Sequence, residues 1–143
     1  MVYMKVTVTS EKDMQNLGSK LAKELPSGSV IELIGDVGAG KTTLVKGIAK
    51  GLNIVDTIQS PSYTIFCRYD SGDKSLHHYD FYRLNDPGLV SYDLDESLHT
   101  DNTVTVIEWS DHVKEVLPED HITVNILTTG ENSREVEIKG IEI

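Results

Sequence analysis

Gly35-Asp36-Val37-Gly38-Ala39-Gly40-Lys41-Thr42 fits the pattern G-x-x-x-x-G-K-[ST], a glycine-rich turn that cradles phosphate. Its surroundings carry as much weight as its letters. Ser29-Val30-Ile31-Glu32-Leu33-Ile34 precedes it as a short apolar run suited to a buried strand. Thr42-Thr43-Leu44-Val45-Lys46-Gly47-Ile48-Ala49-Lys50 follows with apolar residues at helical spacing. Strand, turn and helix are the context the motif requires. Gly35, Gly38 and Gly40 can adopt backbone angles closed to other residues and let the main chain approach a phosphate. Successive N–H groups then converge on one concavity, to which the helix adds its positive end. Lys41 is expected to reach the β- and γ-phosphates, and the Thr42 hydroxyl to sit on Mg²⁺. A glycine turn with no ligand would not call for both groups in register.

Outward from this turn the chain reads as one α/β domain over residues 1–143. Lys5-Val6-Thr7-Val8-Thr9 alternates as an opening strand. Ser10 is suited to cap a helix whose apolar stripe is Met14, Leu17, Leu21 and Leu25, stopped by Pro26-Ser27-Gly28. The helix after the turn ends near Gly51. Tyr63–Tyr69 and Leu76–Tyr82 read as an antiparallel hairpin around Asp70-Ser71-Gly72-Asp73, with His77 and His78 on opposite faces and read as structural. Asp86-Pro87-Gly88 resembles a helix start, and the acidic segment Leu89–Leu98 is weakly amphipathic. Thr103–Trp109 is a strand ending in a carboxylate, and Ser110 caps a short helix through Leu117. Ile122–Thr128 and Glu135–Lys139 close the chain as a second hairpin. The fold class expected is a P-loop NTPase fold: a central, mostly parallel sheet with antiparallel hairpins and helices on both faces.

Composition narrows the setting. The chain has 143 residues and a formal net charge of −10, and Arg68, Arg83 and Arg134 are its arginines. That balance disfavours a direct grip on nucleic acid and favours basic protein partners, or a role in which another subunit holds the nucleic acid. No run approaches a membrane span, and the N-terminus lacks a signal-peptide core. With Cys67 as the single cysteine, no intrachain disulfide can form, which fits the cytoplasm. Cys67 itself reads as a small strand hydrophobe.

A phosphate cradle alone names no reaction. Hydrolysis needs a metal placed across the β- and γ-oxygens and a positioned water. Two carboxylates at strand ends are candidates to meet the turn. Val104-Thr105-Val106-Ile107-Glu108 is the better metal-holding strand, and Asp80 is a candidate to orient water or bind the metal's water shell. Trp109 either packs beside a nucleotide or anchors the strand end, and Arg83 is either a transition-state finger or a structural ion pair. Ser60-Pro61-Ser62-Tyr63 sits where nucleotide switches place a γ-phosphate sensor, or is an ordinary loop.

Taken together, Gly35–Thr43, Ser60-Pro61-Ser62-Tyr63, His78-Tyr79-Asp80-Phe81-Tyr82-Arg83-Leu84 and Val106-Ile107-Glu108-Trp109 resemble the bacterial TsaE family, also called YjeE-type ATPases. The resemblance covers essentially the whole chain. It implies an ATPase subunit of the machinery that forms N6-threonylcarbamoyladenosine in tRNA. The subunit would bind where TsaD, the transferase, meets TsaB, and its ATP hydrolysis would support turnover of that complex. The tRNA would be met only through the complex, with no role on DNA or at a membrane. Carried over by position, Asp36, Val37, Gly38, Ala39, Gly40, Lys41, Thr42 and Thr43 would surround the ATP phosphates. Thr42 and Glu108 would hold Mg²⁺, Lys41, Asp80 and Glu108 would be needed for hydrolysis, and Ser60 and Trp109 would lie near the nucleotide. Ser62 departs from the family's usual threonine but keeps the hydroxyl.

Three rival readings remain. A small P-loop kinase would need an acceptor pocket and usually an arginine-bearing lid, which three arginines and no long insertion disfavour. A GTPase would carry N-K-x-D, which does not occur, nor is any aspartate followed by glycine three positions on. A non-enzymatic adaptor would use ATP only to order its loop and dock a partner.

Overall fold

The computed structural model describes residues 2–61, 65–82, 94, 98 and 100–143. Seven strands form one sheet: β1 (Tyr3–Val8), β2 (Val30–Gly35), β3 (Phe66–Ser71), β4 (Lys74–Asp80), β5 (Thr103–Glu108), β6 (Ile122–Thr128) and β7 (Arg134–Lys139). Their spatial order is β1-β7-β6-β2-β5-β4-β3. The four central strands, β6, β2, β5 and β4, run parallel, while β1–β7, β6–β7 and β3–β4 pair antiparallel at the flanks. The expected mostly parallel centre with antiparallel hairpins is what forms. Among the described residues no helix is long and apolar enough to cross a membrane.

Two helices cover one face of the sheet. The first, α1, spans Glu11–Glu24. Ser10 Oγ accepts from the Asp13 N–H at 3.0 Å, and the Asp13 carboxylate returns to the Thr9 N–H at 3.2 Å and its hydroxyl at 2.9 Å. The start of the helix is thus fixed from both sides. Those two bonds from Thr9 hold the Asp13 carboxyl below its usual range. Met14, Leu17 and Leu21 are buried as the stripe predicts. The second helix, α2 (Lys41–Gly51), follows the phosphate turn and buries Leu44, Val45 and Ile48. Leu21, Leu44 and Ile48 are fully buried, each removing apolar area worth about 1.5–3 kcal/mol.

The two helices meet at glycine. A Cβ on Gly47 would stand 2.1 Å from the Gln15 carbonyl oxygen, and one on Gly18 would stand 2.4 Å from that of Leu44. Both distances are below contact, so only hydrogen fits, and the backbones lie nearly against each other.

The opposite face is covered differently. Tyr79, Phe81, Ile107 and Val113 pack there with Val30, Leu94 and Leu98. The short helix expected from Ser110 to Leu117 is instead two 3₁₀ turns, Ser110–His112 and Lys114–Val116, separated by Val113 at φ −127°. An eight-residue segment, Ser110–Leu117, stopped by Pro118, is too short to propagate an α-helix. The β3–β4 hairpin also turns later than the sequence suggests. Gly72 at φ 61° allows a two-residue turn, so Ser71 pairs with Lys74 and the strands run further. The possible helix start at Asp86 and most of Leu89–Leu98 lie outside the described residues.

Candidate active site

β2 delivers the chain to the glycine turn at the carboxyl edge of the sheet, where open α/β sheets place their ligands. Gly38 and Gly40 take φ of 82° and 106°, left-handed values that a side chain would oppose. The Ala39 N–H donates to the Asp36 carbonyl at 3.0 Å, closing the turn, and Leu44 N–H donates to the Gly40 carbonyl at 3.0 Å as α2 begins. Arg134, at the start of β7, braces the turn from outside. Its Nε donates to the Ala39 carbonyl at 3.1 Å and its Nη1 to the carbonyls of Gly130 and Ser133. The sequence offered no signal for this brace, because the contact joins residues 95 positions apart.

Sheet register brings the carboxylates to the turn. Glu108 of β5 pairs in register with Leu33 of β2 on one side and Asp80 of β4 on the other. Both carboxylates are buried, each 3% exposed. Lys41, the first residue of α2, sends Nζ to within 3.5 Å of Glu108 Oε1. The Trp109 ring lies 4.6 Å from the same Nζ, a cation–π distance, and 4.8 Å from the Tyr82 ring. Trp109 is therefore a member of the site, and it adopts φ 55° and ψ 56° to be so. A left-handed tryptophan is uncommon and must be held by its neighbours. Ser110 supplies one such hold, donating its hydroxyl to the buried Glu32 carboxylate of β2, whose other oxygen lies 3.7 Å from His121 Nε2.

Asp80 Oδ1 accepts from the Tyr82 N–H at 2.9 Å, which fixes the carboxylate at the strand end beside Glu108. Two side chains apart on β4, His78 points to the same side as Asp80. It is fully buried, and its Nε2 lies 2.5 Å from Glu108 Oε2. His77 faces the other way, edge-on to Phe66 with 5.3 Å between centroids, and burial pushes its imidazole pKa down. The expectation of opposite faces holds, but His78 is not merely packing: it contacts the central carboxylate. Its i, i+2 spacing to Asp80 was the available signal.

Two cavities flank Lys41. One, of about 830 Å³, is lined by Gly38, Ala39, Gly40, Lys41, Thr42 and Thr43 on the turn side. Ser10 and Lys12 of the α1 start and Asn132 and Arg134 of the closing hairpin form its far wall. The other, of about 470 Å³, lies between Asp36, Lys41 and Trp109 on one side and the ends of β2 and β6 on the other. Asp36 and Val37 are exposed at the lip of the turn. Ser60 is exposed and lines neither cavity. Ser62, Tyr63 and Arg83 lie outside the described residues.

A hydroxyl and a carboxylate at the mouth of a glycine cradle are hard oxygen donors of the kind Mg²⁺ takes, usually with several waters retained. Among the described residues no group of three or more His, Cys, Asp or Glu could hold a metal by itself.

Comparison with known proteins agrees with this architecture. Residues 8–136 match the family model described as threonylcarbamoyl adenosine biosynthesis protein TsaE. The chain is 39% identical over 137 residues to the Nostoc sp. tRNA threonylcarbamoyladenosine biosynthesis protein TsaE, covering 94% of this chain and 84% of that protein. It is 38% identical over 114 residues to the Bacillus subtilis protein of the same name, covering 80% and 71%. The crystal structure of Bacillus subtilis YdiB superposes with a TM-score of 0.81 at 31% identity, over 96% of this chain and 84% of that one. A glycine cradle, a lysine–carboxylate pair and a tryptophan held over it thus sit in a chain that belongs to the TsaE family.

Proposed function

We propose that this chain is a Mg²⁺-dependent ATPase of the cytoplasm that serves the formation of N6-threonylcarbamoyladenosine in tRNA, acting on a TsaD–TsaB transferase complex and driving its turnover. The observation that carries the reading is the meeting of Lys41 with Glu108 at 3.5 Å under the Trp109 ring, at the mouth of the glycine turn. A buried lysine paired with a carboxylate in this way is poised to exchange that partner for a phosphate.

Each residue then has a task. The N–H groups of the turn and the positive end of α2 bind the phosphates. Lys41 turns from Glu108 to the β- and γ-oxygens. Thr42 and Glu108 would hold Mg²⁺, which when bound neutralises charge across those oxygens. Asp80, buried beside Glu108, orients the attacking water. The 830 Å³ cavity is large enough for the nucleoside. The absence of a guanine-reading N-K-x-D sequence favours adenine. The net charge of −10 accords with leaving tRNA to the partner proteins.

The test is phosphate release from ATP by the purified chain, alone and with TsaD and TsaB, beside affinity capture of those proteins with and without ATP. ATP-dependent capture and partner-stimulated release are expected. Capture without turnover would leave the adaptor reading, and turnover requiring an added small-molecule acceptor would leave a kinase.

A further inference from the structure

His78 donates to the carboxylate that the proposed reaction uses, and does so from a place where the direction of the bond is fixed. The ring is fully buried. Nε2 stands 2.5 Å from Glu108 Oε2, while Nδ1 is buried with no hydrogen-bond partner among the described residues. An ionised carboxylate only accepts, so the proton of this bond belongs to Nε2. The ring therefore donates from Nε2 to Oε2.

That bond divides the labour of the carboxylate. Oε2 is held by His78, and Oε1 is left facing Lys41 at 3.5 Å. Once Lys41 moves to a phosphate, Oε1 is the oxygen free for a metal, and the carboxylate cannot rotate to offer the other without breaking the His78 bond. The strand pairing sets this up: His78 lies opposite Val106 and Asp80 opposite Glu108 in the β4–β5 register, so both β4 residues flank the carboxylate on one face.

We propose that His78 is a positioning residue, which fixes the Glu108 carboxylate through its Nε2–H donor so that Oε1 alone is presented to the metal and phosphates. Its importance for turnover rests on the ATPase reading, but its tautomer and bond do not. A hydrogen-bonded residue behind a metal ligand is commonly worth about 10–100-fold in metal affinity or activity.

Two measurements test it. In nucleotide-free, ¹⁵N-histidine-labelled protein, the His78 resonances should show a proton on Nε2. A bare Nε2, with the proton on Nδ1 alone, would overturn the proposal whether or not the chain hydrolyses ATP. Turnover in the assembled complex is then compared for His78→Gln, His78→Asn and His78→Leu. The glutamine amide nitrogen reaches the place of Nε2, whereas the asparagine nitrogen stops at the place of Nδ1. His78→Gln should retain most of kcat. His78→Asn and His78→Leu should lose about 10–100-fold in kcat and need more Mg²⁺, with KM for ATP little moved. Equal losses in the glutamine and asparagine variants, tracking their melting temperatures, would reduce His78 to packing and overturn it. If wild-type protein turns over no ATP in any complex, the ATPase reading fails while the labelled spectrum still decides the bond.

Discussion

Replacing Glu108 by glutamine removes one charge from a buried pair and leaves the shape in place, since a glutamine oxygen can still accept from His78 Nε2–H. In the nucleotide-free chain the lysine and carboxylate neutralise each other at 3.5 Å, with Lys41 8% and Glu108 3% exposed. At an effective dielectric constant near 20, that separation is worth about 5 kcal/mol of attraction. Without Mg²⁺, ATP can draw Lys41 away only by leaving the buried Glu108 carboxylate without that cation and close to the triphosphate. In Glu108→Gln that cost is gone, and Lys41 is already short of a partner. Allowing about half of the attraction to be recovered by water as the site opens, metal-free ATP binding should strengthen by about 2–3 kcal/mol, or roughly 30–150-fold in Kd. With Mg²⁺ in excess the advantage should shrink, because the wild-type carboxylate then regains a cation. Titration calorimetry in EDTA and in Mg²⁺ measures both. The reasoning is refuted if folded Glu108→Gln binds ATP in EDTA no more tightly than wild type.

Gly47→Ala places a methyl 2.1 Å from a backbone oxygen, and should cost about 3 kcal/mol in overpacking less about 1 kcal/mol of gained helix propensity; thermal denaturation should show a drop of several degrees. Ser110→Ala deprives the buried Glu32 carboxylate of its hydroxyl donor, at a cost of about 1–3 kcal/mol. Because Trp109 is the single tryptophan, its emission should shift to the red as its hold loosens. His77 has a lowered pKa through burial, so the unfolded chain takes up that proton first as pH falls below about 6.5. The stability contributed by neutral His77 is full above that pH and declines toward the lower folded value. His77→Gln should flatten this part of the melting-temperature profile between pH 7.5 and 5.5, and an unchanged slope would count against it.

Much of this was legible in the sequence because it is local. The glycine turn, the Ser10 cap and the α1 stripe each lie within a dozen residues, and backbone sterics and helical spacing dictate them. Glu108 was also legible, as the polar end of an apolar strand. What eluded the sequence depends on which strands become neighbours. Nothing local says that β4 lies beside β5, which is what carries His78 to Glu108, or that β7 brings Arg134 to the Ala39 carbonyl. The left-handed Trp109 is likewise a product of its surroundings, since tryptophan has no preference for that conformation. The two 3₁₀ turns after it are not legible either, because a single capping serine says nothing about how far a helix propagates.

The glycine crossing of α1 and α2 bears on how the larger cavity gets its width. One wall is the start of α1, and the other is the turn that begins α2. Elsewhere in a protein the spacing of two walls is set by side chains, which can change rotamer or be exchanged for others of different size. Here, at Gly18 and Gly47, it is set by main chain against main chain, with no rotamer to adjust. The spacing of the helices at their crossing is thus a dimension of the backbone itself, while nearer the turn the Met14 side chain lies against Gly40. Drawing the two helices apart would mean bending a helix rather than moving a side chain, so their spacing is held at the crossing, away from the cavity they border.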